Sequence, residues 1–213
     1  MSNKKNTYIK MVNSSMDKHF TYIELNNLRD KALLCGDYIS VMHYCYAMIE
    51  DRLLSFLHYL YIIDRNKYPY LLENKIATSI TLLLYPNKKD DFCIKSKPNF
   101  NNINTKINVI KKIYNYSGKD IIILNMKNFI NEIIDLNELK GDVKNLIEWK
   151  NFRNELVHSL YNKNLEDYNS KIKKYANIGI SLANKFDNYS DLMKGNIINH
   201  KSFRALMNEI NIK

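Results

Sequence analysis

The chain has 213 residues, 46% of them hydrophobic, and a net charge of +10 from 32 Lys and Arg against 22 Asp and Glu. That length and apolar content suit one domain with a buried core and argue against wholesale disorder. Only 5 Gly and 3 Pro are present, too few breakers for a many-stranded sandwich or barrel, so the expected class is all-α. An anionic partner such as nucleic acid fits the positive charge. So does a Lys-, Asn-, Ile- and Tyr-rich composition drawn from an AT-rich genome, and charge alone does not decide between the two.

Residues 1–15 read as a polar N-terminal tail with no signal-peptide core. A first helix is expected from Met16 to Leu34, with Ser15 as N-cap and Gly36 as its stop. Asp37 can cap a second helix running to about Asp64, whose apolar stripe includes Ile39, Met42, Tyr46, Ile49, Leu53, Phe56, Leu57 and Leu60. Its longest apolar run, Leu53 to Ile63, is well short of the roughly 20 residues that a membrane span needs. A soluble protein with no membrane partner is therefore expected. A third helix is expected from Pro69 to Leu84.

The polar stretch over about 86–104, twice broken by proline, reads as a loop or insertion. A helix from Thr105 to Tyr116 follows, broken at Ser117-Gly118. Asp120 to Asp135 begins with Ile121, Ile122, Ile123 and Leu124, which suit a strand by propensity. Met126, Phe129, Ile130, Ile133 and Ile134 then carry helical spacing, and helix is favoured. The next helix starts near Gly141 and runs to about Tyr161. Two more are expected, at Leu165–Phe186 and Ile197–Ile210. The domain division expected is a tail (1–15), a helical domain (16–190) and a C-terminal helical extension (191–213).

The helix containing Trp149 to Tyr161 carries the chemistry. At about 100° per residue, Trp149, Phe152, Leu156 and Leu160 share a face that should pack inward. Asn154 and His158, four apart, project together from another face. Arg153 lies between the two faces, and its long side chain can swing toward His158. A guanidinium offers a fixed fork of donors for phosphate oxygens. An imidazole can give or take a proton near neutral pH. Arg153 with His158 is therefore a compact set for chemistry on a phosphate, although any helical protein of this length holds some such pair on a solvated face.

The string Phe152-Arg153-Asn154-x-x-Val157-His158, late in an all-helical chain and followed by a tyrosine, resembles the signature of the HEPN superfamily. That signature is an arginine, four to six residues and a histidine, often with a polar residue directly after the arginine. The specific resemblance covers the stretch around Trp149 to Tyr161; the rest of the chain is similar only in being helical. It implies an up-and-down helical bundle that dimerises through the motif helix, here with extra helices and an insertion. It further implies a metal-independent endoribonuclease needing no cofactor, active as a toxin or an antiviral effector in the cytoplasm. Arg153, Asn154 and His158 would be its catalytic residues. In the subgroup paired with nucleotidyltransferase antitoxins, a tyrosine lies two residues after the histidine. Here that position is Leu160, and Tyr161 comes one step late, which weakens assignment to that subgroup. The competing expectations are a non-catalytic module of the same fold, binding RNA or a protein, and a toxin controlled by a nucleotidyltransferase antitoxin that modifies Tyr161.

Substrate contacts are expected from Tyr161 and from Lys171, Lys173 and Lys174 with Tyr175. A second basic region is Lys88, Lys89, Lys95, Lys97, Lys106, Lys111 and Lys112, near tyrosines that offer stacking surfaces. A solvated lysine-rich face explains both groups equally well. Glu50 and Asp51 are placed to reach the site from a neighbouring helix, or to form a surface ion pair. Cys35, Cys45 and Cys93 show no paired spacing and read as free thiols of a reducing compartment. His19, His43, His58 and His200 are scattered without metal-ligand spacing, so no metal is expected.

Overall fold

A computed structural model describes residues 15–64, 75–87, 98–159 and 169–212. The described residues form eight helices and no strand: α1 (Ser15–Leu34), α2 (Tyr38–Tyr59), α3 (Lys75–Leu84), α4 (Ile103–Tyr114), α5 (Ile121–Ile133), α6 (Leu136–Ser159), α7 (Asn169–Asn199) and α8 (Lys201–Ile212). The protein is an all-helical bundle. No helix among the described residues is long and apolar enough to cross a membrane.

Four helices make the frame. Gly36, at φ +72°, takes the left-handed conformation that turns α1 into α2. The Asp37 side chain then accepts from Ser40 N at 3.1 Å and caps α2. Two of the α2–α7 contacts, Tyr38 with Lys173 and Arg52 with Asp187, lie fourteen residues apart on each helix, so α2 and α7 run parallel. In α6 and α7 the order reverses: Phe152 meets Tyr175 while Asp142 meets Tyr189, so these two are antiparallel. Arg52 ties three of the four together, with its Nε 2.6 Å from Asp187 and its guanidinium 3.6 Å from the Tyr22 ring centroid. Helices α3 to α5 and α8 pack beside this frame and share its core, in which Phe56, Trp149, Phe186 and Met207 are all buried.

Several helix ends differ from the sequence expectation, each for a local reason. α2 stops at Tyr59 rather than near Asp64. Tyr61 N bonds His58 O, Ile62 N bonds Leu57 O, and Tyr61 takes φ +59°, which reverses the chain and returns Ile62 and Ile63 to the core. α4 starts two residues early because Asn102 caps it, its side chain accepting from Asn104 N at 2.8 Å. α5 is a helix throughout, as its later spacing indicated, capped by Asp120 at Ile122 N and Ile123 N. α6 starts at Leu136, five residues before Gly141. The Asp135 carboxylate accepts from Asn137 N at 2.7 Å, and Gly141 sits in open space inside the helix. α7 runs on past Phe186 to Asn199, burying Tyr189, Ser190 and Met193, so the boundary expected at residue 190 falls inside a helix. Pro98 and Phe100, assigned to a polar loop, are buried. Tyr161, Leu160, Cys93 and Lys88, Lys89, Lys95 and Lys97 lie outside the described residues.

Candidate functional site

The motif helix is fixed from behind. Trp149, Phe152 and Leu156 are buried on the face the periodicity assigned inward. Trp149 Nε1 donates to Tyr175 O at 2.8 Å, so the indole is both packed and hydrogen-bonded. It lies directly over Gly179, where a Cβ would come within 2.8 Å of its ring. Phe152 stacks on Tyr175 with centroids 3.8 Å apart. Together these contacts leave α6 little freedom to roll, and the opposite side of the helix is presented in a defined orientation.

On that side the three motif residues do not behave alike. Arg153 Nη1 donates to Asn154 Oδ1 at 3.3 Å. Its guanidinium does not turn toward His158. It lies over the Tyr46 ring of α2, 4.5 Å from the centroid, and no hydrogen bond joins it to His158. The reason is tertiary: α2 runs past α6 at this level and offers an aromatic face to a cation that is already half-buried. Arg153 Nε is shielded from solvent and has no acceptor among the described residues. Asn154 is half-buried, and His158, one turn further on, is exposed. His158 makes no side-chain hydrogen bond among the described residues.

Tyr46 was read from the sequence only as part of an apolar stripe. It is half-buried, and burial raises its phenol pKa above the ordinary 10.0; Glu50 raises it further, while Arg153 opposes both. Its hydroxyl in an otherwise apolar run was the available signal. Lys150 was also missed. It is 8% exposed, one turn before Arg153 on α6, and its Nζ donates to Asn104 Oδ1. Burial lowers its pKa.

The start of α7 flanks this region. Lys171 Nζ lies 5.0 Å from the Phe152 ring centroid and Lys173 Nζ lies 5.8 Å from that of Tyr38, while Lys174 is exposed. Lys171 therefore lies against the motif helix, and Lys173 reaches α2. Of the other basic region Lys106, Lys111 and Lys112 are described, and two of them are engaged within the bundle. Lys106 is buried, 1% exposed, and holds Glu50 Oε1 at 2.6 Å. Lys112 Nζ donates to Leu83 O and Leu84 O at 2.8 and 3.0 Å and so closes the end of α3. Glu50 is thereby committed to an ion pair with α4, and Asp51 stands 3.8 Å from Arg52. His58 Nδ1 is 3.2 Å from Ile63 O, and His200 Nδ1 is 3.4 Å from Glu132. No group of three His, Cys, Asp or Glu among the described residues is arranged to hold a metal ion.

A scan against protein-family models and searches of curated proteins and of solved structures find no significant match to this chain. The functional reading therefore rests on the motif and its geometry.

Proposed function

We propose that the protein is a metal-independent endoribonuclease of the HEPN type, acting as a toxin or defence effector. One observation carries the reading: Arg153 and Asn154 are hydrogen-bonded to each other, with His158 exposed one turn on, along a helix whose other face is locked by Trp149, Phe152 and Leu156. In this reading the RNA 2′-oxygen attacks the adjacent phosphorus and its proton passes to His158. The bond from phosphorus to the 5′-oxygen breaks, leaving a 2′,3′-cyclic phosphate and a 5′-hydroxyl. Arg153 stabilises the charge that builds on the phosphorane oxygens. Asn154 holds Arg153 or the phosphate in place. The leaving 5′-oxygen needs a proton, and His158 of a second copy, brought in by pairing of the motif helices, would supply it. DNA, lacking the 2′-hydroxyl, would be spared.

The test is RNA cleavage in EDTA with end-group analysis. Wild type should cleave and leave a cyclic phosphate. His158→Ala should lose about 10²–10⁴ in rate, and Arg153→Ala about 10²–10³, with both variants folded. Undiminished cleavage by both variants would exclude the site.

A second reading is a non-catalytic RNA- or protein-binding module. It is favoured by the engagement of Arg153 with Tyr46 and Asn154, contacts that serve structure as well as chemistry. It predicts RNA binding by the folded dimer with no turnover of any RNA.

A further inference from the structure

Among the described residues, cations withdrawn from water differ in their acceptors, and Lys112 and Lys127 use backbone carbonyls. Arg29 is 2.8 Å from Asp30, Arg52 is 2.6 Å from Asp187, and Lys106 is 2.6 Å from Glu50. Each of these three charges has a carboxylate beside it, which offsets the cost of burial. Lys150 and Arg153 are different. Among the described residues neither has a carboxylate partner; their acceptors are the neutral amides of Asn104 and Asn154.

Their positions make this more costly. Asn104 is in the first turn of α4, which carries no acidic residue, so Lys150 sits at the positive end of a helix dipole. Burial lowers the Lys150 pKa. Arg153 adds a second cation one turn along, with its Nε shielded and without an acceptor among the described residues. Residues three apart on a helix have Cβ atoms roughly 5–6 Å apart. Among the described residues, two cations one turn apart, one of them at a helix N-terminus, thus have no carboxylate hydrogen-bonded to them. Lys150 buries its stem while its ammonium reaches Asn104, which is exposed, so the charge lies at the rim and not sealed in the core.

We propose that Lys150 and Arg153 form a binding site for the phosphodiester backbone of single-stranded RNA, in which Lys150 takes the phosphate next to the one held by Arg153. The choice of RNA rests on the nuclease reading above; the anion site rests on two cations whose hydrogen-bond acceptors, among the described residues, are amides. Lys150 is a positioning residue. It sets where the strand lies relative to His158, and it exchanges no proton with the reacting atoms.

The experiment is anisotropy titration of a fluorescent 2′-O-methyl RNA oligonucleotide, which binds but cannot be cleaved, across a range of salt concentrations. Lys150→Met should weaken binding about tenfold and reduce the salt slope by about 0.7, the share of one phosphate contact on a single strand. Lys150→Arg should restore both. Asn104→Asp is the decisive companion, because it gives Lys150 a carboxylate from within and leaves the lysine in place. It should raise the melting temperature and weaken RNA binding together. A purely structural lysine predicts the stabilisation without the loss of binding. Wild-type affinity and salt slope in both Lys150→Met and Asn104→Asp would overturn the proposal, as would failure of the wild type to bind. If Lys150→Met does not fold, Asn104→Asp decides alone. Cleavage of unmodified RNA separates the two ideas. Cleavage with unaltered binding in the variants keeps the nuclease and removes the subsite. Lys150-dependent binding without cleavage keeps the subsite and removes the nuclease.

Discussion

In the N-terminal half of α6, Asp142 is 7% exposed and fully engaged: Lys185 Nζ donates to it at 3.0 Å and Tyr189 Oη at 2.7 Å, while Lys185 also holds Glu138 at 3.0 Å. In the C-terminal half of the same helix, the partners of Lys150 and Arg153 among the described residues are amides and an aromatic face. Both halves pack along α7. One closes its charges within the chain and the other leaves positive charge open. A closed network contributes rigidity and asks for no ligand. An open one costs stability and is tolerated where an incoming anion completes it. The helix can hold the second arrangement because Trp149, between the two, is anchored on both its ring and its nitrogen.

That division of labour can be broken most strongly at its pivot. Trp149→Ala should cost about 3–5 kcal/mol, measured by urea unfolding, because it empties a fully buried site and removes the bond to Tyr175 O. The loss should fall on both halves, reducing stability and RNA binding together. A Trp149→Ala protein of wild-type stability would show that the two halves are held independently.

Asp142→Asn should affect only the closed half, at about 1–3 kcal/mol, with RNA affinity unchanged. Its effect should depend on pH with a defined sign. The hydrogen bonds that Lys185 donates to Asp142 and then Glu138 raise its pKa above the ordinary 10.5, and burial followed by the bond to Asp142 raises Tyr189 above 10.0. A pKa raised by folding contributes stability that is complete below the unfolded value and is lost as pH climbs through the folded one. The wild type should therefore hold its stability up to about pH 10 and decline above it. Asp142→Asn should be less stable at pH 8 and decline less steeply, retaining the part that Tyr189 owes to burial. Parallel pH profiles for the two proteins would remove Asp142 as the link.

The sequence carried the turn points that have local chemistry: Gly36, Asp37 and Asp120 each do what their residue type suits. It carried the facing of Trp149, Phe152, Leu156 and His158, because helical period alone sets it. It hid the end of α2, where a tyrosine takes the left-handed position that usually belongs to glycine. It hid the length of α7, since no breaker marks a helix that simply continues. Above all it hid the direction of Arg153 and the place of Lys150. Those depend on which helix crosses α6 at each turn, α2 with Tyr46 in one case and α4 with Asn104 in the other. Spacing along one helix holds no information about its neighbours.

The smallest effect tests how the open half is held when empty. Tyr46 gives Arg153 a π face and no hydrogen bond, so the ring and not the hydroxyl should matter. Tyr46→Phe keeps the ring and should match wild type in stability and RNA binding. Tyr46→Leu keeps the bulk without the quadrupole and should lose about 0.5–1 kcal/mol by urea unfolding. If the ring also holds the guanidinium where a phosphate arrives, Tyr46→Leu should slow cleavage by about two- to five-fold without changing the salt slope, because no cation has been removed. A drop equal in the Phe and Leu variants would transfer the role to the hydroxyl. A faster Tyr46→Leu enzyme would mean that the ring detains Arg153 away from His158, so that substrate must first draw the guanidinium off α2.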